Sequence, residues 1–320
     1  MLSHQPIPLE EIILAHQRLA GKVLRTPLVR LNVEQASAEI YLKLENLQPI
    51  GSFKLRGAGN AMLQIDPEEL KNGVWTASAG NMAQAVAWFA RQMGIPCMVI
   101  APDDAAPTKL AAIRRLGASI RQVPFAQYQQ IEKEHACEGV SGRLVHPFGD
   151  EAVMAGNGTI ALEVLEDLPD VDAILVPYGG GGLSCGIASA VRALQPHTRV
   201  YACEVETAAP LAGSLRAGKM VDVPYAASFV NGIGAPFVFP EMWSIASTLL
   251  EGSLVVVLEQ VASAIRLMAE RNHVIAEGAG AVPVAAALAG SGGNGKVVCI
   301  VSGGNIDPEV FTKILLYNSA

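Results

Sequence analysis

Residues 176–183 read VPYGGGGL, so four glycines separate an apolar run from the start of a helical pattern. A buried strand that ends in such a turn and opens a helix is typical of a βα unit in a parallel sheet. Without Cβ atoms, the glycine backbone can approach an anion, and N–H groups converge at the positive end of the helix. The stretch therefore predicts a phosphate-binding turn, with a flexible glycine hinge as the alternative. It matches neither the motif of NTP hydrolases nor the G-x-G-x-x-G spacing of dinucleotide-binding turns.

The rest of the chain alternates apolar strands with helical patterns in the same way. The predicted strands are Ile40–Leu44, Gly73–Ala77, Cys97–Ala101, Ser119–Val123, Ala173–Pro177, Val200–Val205, Leu254–Leu258 and Val297–Val301. The predicted helices are Leu9–Leu19, Lys54–Gln64, Met82–Met93, Pro107–Leu116, Gly158–Leu165, Leu183–Leu194, Gln260–Arg271 and Ala279–Leu288. This succession predicts an α/β fold with parallel sheets and right-handed crossovers.

We expect two lobes, each an open and mostly parallel sheet covered by helices. The compact βαβα run that begins at Val74, and the loop at His146–Asp150, predict a small domain at 74–152. A large domain would then comprise 1–73 and 153–320. A cleft between two such domains is the usual place for a small-molecule site.

Composition narrows the class of protein. The 320 residues are 51% hydrophobic and 17% charged, with a net charge of −7, and no basic run suggests a nucleic-acid partner. Five scattered cysteines without a C-x-x-C pair indicate reduced thiols. The first residues do not resemble a signal peptide, and the apolar runs are too short and too broken to span a membrane. We therefore expect a cytoplasmic enzyme or binding protein.

A single lysine, Lys54, stands in the stretch Gly51–Gly57, where a Gly/Ser-rich turn meets a helical pattern. Burial of such a lysine disfavours the ammonium form and frees the amine to act as a nucleophile or base. A solvated turn lysine is the alternative.

Two further turns follow predicted strands, at Ser78–Asn81 and at Ser302–Asn305. The N–H groups of the first turn could hold a carboxylate, or Asn81 could simply cap the next helix. In open α/β sheets, ligands bind at the carboxyl ends of the strands. Three such turns and Lys54 together predict one site for a phosphorylated cofactor and an anionic substrate.

Other chemistry finds little support. The six histidines form no metal-binding helix motif, and Ser302 lies in no G-x-S-x-G turn. Glu204 and Glu206 alternate at a strand end and could ligate a cation, but a solvated rim is the simpler interpretation. Glu277 has the position of an ordinary acid in the first turn of a helix.

Five motifs in order resemble the serine/threonine dehydratase family of pyridoxal-phosphate enzymes, of the tryptophan-synthase-β fold (fold type II). They are KLENLQPIGSFKLRGA, SAGNMAQAVA, HPFGDEAVMAGNGTIALE, VPYGGGGLSCGIA and VSGGNID. The resemblance covers nearly the whole chain. It implies a lyase that converts a 3-hydroxy L-amino acid of the threonine or serine type to a 2-oxo acid and ammonia.

The resemblance also implies roles for single residues. Lys54 would bind pyridoxal 5'-phosphate covalently and later remove the substrate Cα proton, with Phe53 beside the cofactor ring. Asn81 would hydrogen-bond the phenolic oxygen of the ring, and Ser302 would face the pyridine nitrogen. The cofactor phosphate would lie on the backbone of Gly179, Gly180, Gly181, Gly182 and Leu183. The substrate carboxylate would lie on Ser78, Ala79, Gly80 and Asn81.

Departures from the family pattern modify these expectations. Racemase members carry a serine in place of Ala79, and alanine cannot protonate the opposite face of the substrate. Pro210 stands where many members have the second acidic ligand of a metal site, so no metal is expected at Glu204. The chain ends without the regulatory extension of biosynthetic members, so isoleucine feedback is not expected.

Met82 replaces a histidine that is frequent in the family and makes the predicted substrate side-chain pocket, formed with Asn231 and Glu277, more apolar. We therefore hypothesise that the pocket admits a bulkier substituent, such as the phenyl group of threo-3-phenylserine, against the alternative of a neutral family variant. Three other functions remain open: an amino-acid racemase, a β-replacement synthase and a non-catalytic ligand-binding relative. A homodimer or homotetramer is expected from the resemblance.

Overall fold

The computed structural model describes residues 5–316. Its α-helices are α1 (Leu9–Leu19), α2 (Lys54–Met62), α3 (Pro67–Leu70), α4 (Asn81–Met93), α5 (Pro107–Arg115), α6 (Phe125–Glu134), α7 (Glu151–Asp167), α8 (Gly182–Leu194), α9 (Pro210–Ala217), α10 (Pro240–Leu249), α11 (Leu258–Leu267), α12 (Gly278–Leu288) and α13 (Pro308–Leu316). A 3-10 turn lies at Glu45–Leu47 and a π-helical turn at Met268–Asn272. The strands are β1 (Leu28–Arg30), β2 (Glu39–Lys43), β3 (Val74–Ala77), β4 (Cys97–Pro102), β5 (Ser119–Val123), β6 (Arg143–Leu144), β7 (Ala173–Pro177), β8 (Arg199–Val205), β9 (Gly252–Val256) and β10 (Lys296–Ile300).

The strands form two sheets. The larger has the order β1-β2-β10-β7-β8-β9, and every pair in it is parallel except β1 with β2. The smaller has the order β5-β4-β3-β6 and is parallel throughout. This confirms the predicted α/β fold with two mostly parallel, helix-covered sheets. In the larger sheet, β10 and β7 are neighbours although they are distant in sequence, and a crevice outside such a pair is where ligands bind in open sheets.

Apolar residues alternate between the two faces of the larger sheet. Ile174 and Val176 of β7 pack in the cluster that contains α1, α7, α8 and α10. Their neighbours Ala173 and Leu175 pack in the cluster on the other face, with α11 and α12. Both faces are therefore buried, which explains why the strands read as continuous apolar runs rather than as alternating patterns.

All eight predicted strands are present, with ends within two residues of the predicted ones. Strands β1 and β6 were not predicted, because they are too short to show a pattern. Helices α3, α6, α9, α10 and α13 were not predicted either. The predicted helix Gly158–Leu165 was too short, because α7 already begins at Glu151 after Asp150, whose carboxylate accepts a hydrogen bond from the Ala152 N–H at 2.7 Å.

The smaller sheet lies wholly between Val74 and Leu144. That placement supports the small domain at 74–152, which stays a prediction, as does the large domain at 1–73 and 153–320. Within residues 5–316, no helix is long and apolar enough to cross a membrane.

Candidate active site

Lys54 is the first residue of α2, where the sequence analysis expected a turn to become a helix. Its Nζ donates a hydrogen bond to the Pro147 carbonyl at 2.6 Å and lies 5.3 Å from the centre of the Phe53 ring. Part of the residue is accessible, but the amine itself is removed from water. Desolvation lowers the pKa of Lys54 from 10.5 to about 8, against the opposing effect of the Glu277 charge. Such an amine is neutral in a useful fraction near physiological pH.

The turn before Lys54 pairs with the turn after β10. The Phe53 N–H donates to the Ser302 carbonyl at 2.9 Å, and the Gly304 N–H donates to the Gly51 carbonyl at 2.9 Å. Ser302 is 2% exposed and lies directly beside Phe53 in this pairing. Its hydroxyl forms no hydrogen bond with another residue in the part of the chain that the structure describes. A neutral hydroxyl is therefore available at the position predicted to face the pyridine nitrogen.

Asn81 joins the two sheets. It is the first residue of α4, and Gly80 rather than Asn81 is the N-cap, so the capping alternative was wrong. Its Nδ2 donates to Glu277 Oε1 at 2.9 Å, and its Oδ1 accepts from Asn305 Nδ2 at 2.8 Å. Burial raises the pKa of Glu277 to about 7, although the hydrogen bond from Asn81 and the charges of Lys109 and Lys54 oppose it.

The other residues of the Asn81 turn are half-buried at the carboxyl end of β3. The Gly80 N–H donates to Ser78 Oγ at 3.2 Å, and the Ser78 N–H donates to the Ile100 carbonyl at 3.0 Å. Ala79 presents only a methyl group. The turn therefore belongs to the smaller sheet but reaches the residues of the larger one through Asn81.

The glycine turn opens α8, which begins at Gly182. Gly181 has φ +88°, a left-handed conformation that disfavours residues with a Cβ atom. Phe148 covers the turn so closely that a Cβ atom on Gly180 would lie 2.4 Å from the Phe148 ring. Within residues 5–316, the backbone N–H groups of residues 179–183 find no carbonyl or side-chain acceptor. These N–H groups at a helix N-terminus are the donors that a phosphate requires.

The segment Pro147–Phe148 connects Lys54 to the glycine turn, because Pro147 accepts the Lys54 hydrogen bond and Phe148 packs on Gly180. Three features therefore belong to one site: a lysine with a lowered pKa, free N–H donors for a phosphate, and a neutral hydroxyl. This set fits pyridoxal 5'-phosphate.

The three residues predicted to form the substrate side-chain pocket, Met82, Asn231 and Glu277, do not share one environment. Met82 is 2% exposed and packs in the apolar cluster that contains Leu55 and Val86. Asn231 is exposed, and Glu277 contacts Asn81. The pocket therefore stays a prediction. A cavity of about 1240 Å³ is lined by Pro147 and Phe148 together with residues of α6 and of the segments 220–222 and 237–241, but not by Lys54, Asn81 or Ser302.

Glu204 is held by donors of the protein itself. Its carboxylate accepts from the N–H groups of Leu211 and Ala212 at 2.9 and 2.7 Å and from Ser253 Oγ at 2.5 Å. Among the described residues, no group of three or more His, Cys, Asp or Glu side chains is arranged to hold a metal ion.

Two features near Lys54 were not predicted from the sequence. Asn305 was seen only as part of a motif, and its contact with Asn81 depends on two distant turns meeting. The second feature is a buried ion network formed by Lys43, Glu45, Arg56 and Glu163, each at most 2% exposed. Lys43 Nζ donates to Glu163 Oε2 at 2.6 Å, and the Arg56 guanidinium binds both carboxylates. The sequence feature that could have indicated this network is the presence of charged residues inside otherwise apolar segments.

Comparisons with known proteins agree with this site. The family model described as pyridoxal-phosphate dependent enzyme matches residues 19–303. The chain is 41% identical to an L-threonine ammonia-lyase of Geobacter sulfurreducens, over 94% of this chain and 76% of the relative. The structure is similar to serine racemase from Dictyostelium discoideum, with a TM-score of 0.86 and 33% identity over 95% of this chain and 100% of that one. It is equally similar to a threonine deaminase from Solanum lycopersicum, with a TM-score of 0.86 and 28% identity over 98% and 95% of the two chains.

The family model covers most of the chain, including Lys54, Asn81, the glycine turn and Ser302. The chain belongs to the family of pyridoxal-phosphate dependent enzymes, which confirms the predicted family, fold type and cofactor.

Proposed function

We propose that this protein is an ammonia-lyase that converts a 3-hydroxy L-amino acid of the threonine or serine type to a 2-oxo acid and ammonia. The observation that carries the proposal is the meeting of a desolvated Lys54 with a glycine turn whose N–H groups are open. The relatives named L-threonine ammonia-lyase, at 41% and 40% identity over nearly the whole chain, support the same reaction.

In this proposal, Lys54 binds the cofactor and serves as the base that removes the substrate Cα proton. When bound, pyridoxal phosphate supplies an electron sink for the bonds at that carbon. The lowered pKa of Lys54 suits both tasks, because only the neutral amine is a nucleophile or a base. The hydrogen bond to the Pro147 carbonyl at 2.6 Å holds Nζ in place until it reacts.

The proposed binding residues are those of the sequence analysis. The N–H groups of residues 179–183 hold the cofactor phosphate, and Phe53 lies beside the ring. Asn81 has one N–H left after its bond to Glu277, and that donor is available to the phenolic oxygen. Ser302 offers a neutral hydroxyl to the pyridine nitrogen, which does not enforce its protonation, so elimination is favoured over transamination. The turn Ser78–Asn81 binds the substrate carboxylate.

Ala79 distinguishes the proposed lyase from a racemase. Racemisation needs a second acid that returns the proton to the opposite face of Cα, and a methyl group holds no proton. The structural similarity to serine racemases therefore supports the shared fold and cofactor chemistry, whereas the side chain at position 79 favours elimination.

The physiological substrate stays open between threonine, serine and a bulkier 3-hydroxy amino acid. The hypothesis of a phenyl substituent stays a prediction, and so do the cytoplasmic location and the homodimeric or homotetrameric assembly.

The decisive experiment compares L-threonine, L-serine and L-threo-3-phenylserine with the purified holoenzyme and no added nucleophile. We expect one 2-oxo acid and one ammonia for each substrate consumed, with Lys54→Ala as the blank. D-amino acid accumulating faster than 2-oxo acid would favour the racemase. Turnover that needs an added thiol or amine would favour a synthase, and absence of any product would favour a binding protein. A clear preference for threonine or serine would reject the phenyl hypothesis.

A further inference from the structure

The contacts of Glu277 are not those of an ordinary acid in the first turn of a helix. They are not explained by a place in the wall of the substrate pocket either. It is the N-cap residue of α12, yet its side chain makes no capping hydrogen bond to that helix. Instead, Oε1 accepts the Asn81 Nδ2 hydrogen bond at 2.9 Å, and the backbone N–H of Asn305 opposes the rise in the pKa of this carboxylate. The carboxylate is thus directed to the turns that follow two different strands, β3 and β10.

The surroundings of Glu277 are shaped to admit this carboxylate. A Cβ atom on Gly303 would lie 2.5 Å from Glu277 Oε1 and 3.3 Å from Asn81 Nδ2. The Glu277 N–H donates to the Gly303 carbonyl at 3.0 Å, which fixes the backbone on which the side chain stands. A side chain at position 303 would therefore force the Glu277 carboxylate to shift from its present place beside Asn81.

The consequence for Asn81 is a defined orientation. Its Oδ1 accepts from Asn305 Nδ2 at 2.8 Å, and the same nitrogen donates to the Ile50 carbonyl at 2.8 Å. Because a carboxylate can only accept and Asn305 donates from the other side, the amide of Asn81 cannot turn over. Its second N–H therefore stays directed away from Glu277 and Asn305.

We propose that Glu277 is a positioning residue of this reaction, which fixes the Asn81 amide toward the cofactor. Its negative charge also favours the ammonium form of Lys54. The proposal deepens the function given above and rests on it for the identity of the reaction. Two lysines contribute to the charge around this carboxylate, Lys54 at the start of α2 and Lys109 in α5. Burial raises the pKa of Glu277 to about 7, so the charge is lost as pH falls below neutrality.

The direction in which the pKa of Lys54 changes on removal of the Glu277 charge distinguishes an electrostatic role of Glu277 from a merely structural one. Glu277→Gln removes a charge that raises the pKa of Lys54, so the pKa of Lys54 should fall further below about 8, by about half a pH unit or more. If the glutamate only kept the site packed, its loss would admit water, and the pKa of Lys54 would rise toward 10.5 instead. The rate at which a lysine reagent labels Lys54 in the cofactor-free full chain, followed by mass spectrometry against pH, gives that pKa.

Asp172→Asn is the matched control. Asp172 is a carboxylate that accepts a hydrogen bond, from the Lys296 backbone N–H at 2.7 Å, but it precedes β7 at the opposite end of the strands from the site. We expect the pKa of Lys54 to stay unchanged in this variant. An unchanged or raised pKa in Glu277→Gln, or the same fall in Asp172→Asn, would overturn the charge part of the proposal.

Gly303→Ala tests the orientation without removing the charge. The added methyl group would displace the Glu277 carboxylate from Asn81, so we expect kcat/KM to fall about tenfold or more while the pKa of Lys54 stays within about half a pH unit. Unchanged kcat/KM would overturn the orientation part. The labelling experiment does not depend on which product is formed, so failure of the ammonia-lyase proposal and failure of this one are distinguishable.

Discussion

Lys54 and Arg56 are two residues apart on α2, but their pKa values are shifted in opposite directions. Residues at this spacing do not share a helix face. Arg56 donates to both carboxylates of the ion network and, in addition, to Thr159 Oγ1 and the Leu24 carbonyl. Lys54 Nζ has a single carbonyl partner and, within residues 5–316, no ion pair. Burial lowers the pKa of Lys54, whereas the carboxylates raise that of Arg56 despite burial.

The difference shows that burial alone does not make a charged side chain either structural or reactive. Burial by itself would raise the pKa of Glu45, but the Arg56 guanidinium and its hydrogen bonds lower it overall, so both groups stay charged. The network is balanced, with two positive and two negative groups. The lysine next to it lacks such a partner at hydrogen-bond distance, and its amine is therefore ready for chemistry.

Removing the reactive side chain should give the largest effect on turnover and a small one on the fold. We expect Lys54→Ala to lower kcat by at least about a thousandfold, since the proposed nucleophile and base are lost together. The free energy of unfolding should change by about 1 kcal/mol or less, because the amine has one hydrogen bond and an unfavourable desolvation. Steady-state kinetics and urea denaturation measure the two quantities. Residual turnover above one hundredth of wild type would show that another group is the base.

Removing the Arg56 side chain should mainly lower the free energy of unfolding. Arg56→Met leaves Glu45 and Glu163 with only Lys43 to balance them, which should lower the free energy of unfolding by about 3–5 kcal/mol. The double variant Arg56→Met/Glu45→Gln restores the charge balance with the pair Lys43–Glu163. We expect it to be more stable in urea than the single variant. If the double variant is no more stable, charge balance is not what the network supplies.

A smaller change tests how much one neutral donor to the network contributes. Thr26 Oγ1 donates to Glu45 Oε1 at 2.6 Å, and Thr26→Val removes that hydrogen bond with little change of shape. The expected loss of unfolding free energy is about 1.5–3 kcal/mol, because the acceptor is charged. Thr198→Val is the control, since Thr198 Oγ1 donates to the neutral Val171 carbonyl at 2.8 Å. An equal loss in both variants would contradict a special contribution of the charged acceptor.

The two regions also differ in how far the sequence predicts them. The glycine turn and the turns at Ser78 and Ser302 are local, because each follows a recognisable apolar strand, and the start of α2 at Lys54 is local too. The contacts that decide their chemistry are not local. Arg56 meets Glu163 only because α2 packs on α7, and Asn81 meets Glu277 only because the turn after β3 faces the loop before α12. No periodicity within a segment encodes such pairs, so sequence motifs identified the turns but not their partners.

The smallest expected effect concerns the pH at which Lys54 becomes reactive. With a pKa of about 8, the neutral fraction of its amine should rise about tenfold between pH 7 and pH 9 and then level off. The sign follows from desolvation, which disfavours the ammonium form, so the amine is deprotonated at a lower pH than an ordinary lysine. The rate at which cofactor-free protein takes up pyridoxal phosphate, followed by absorbance, should show this plateau, whereas the rate for Nα-acetyl-lysine should keep rising past pH 9. A protein rate that also rises past pH 9 would mean that water reaches Nζ, and the contrast with Arg56 would then rest on hydrogen bonding alone.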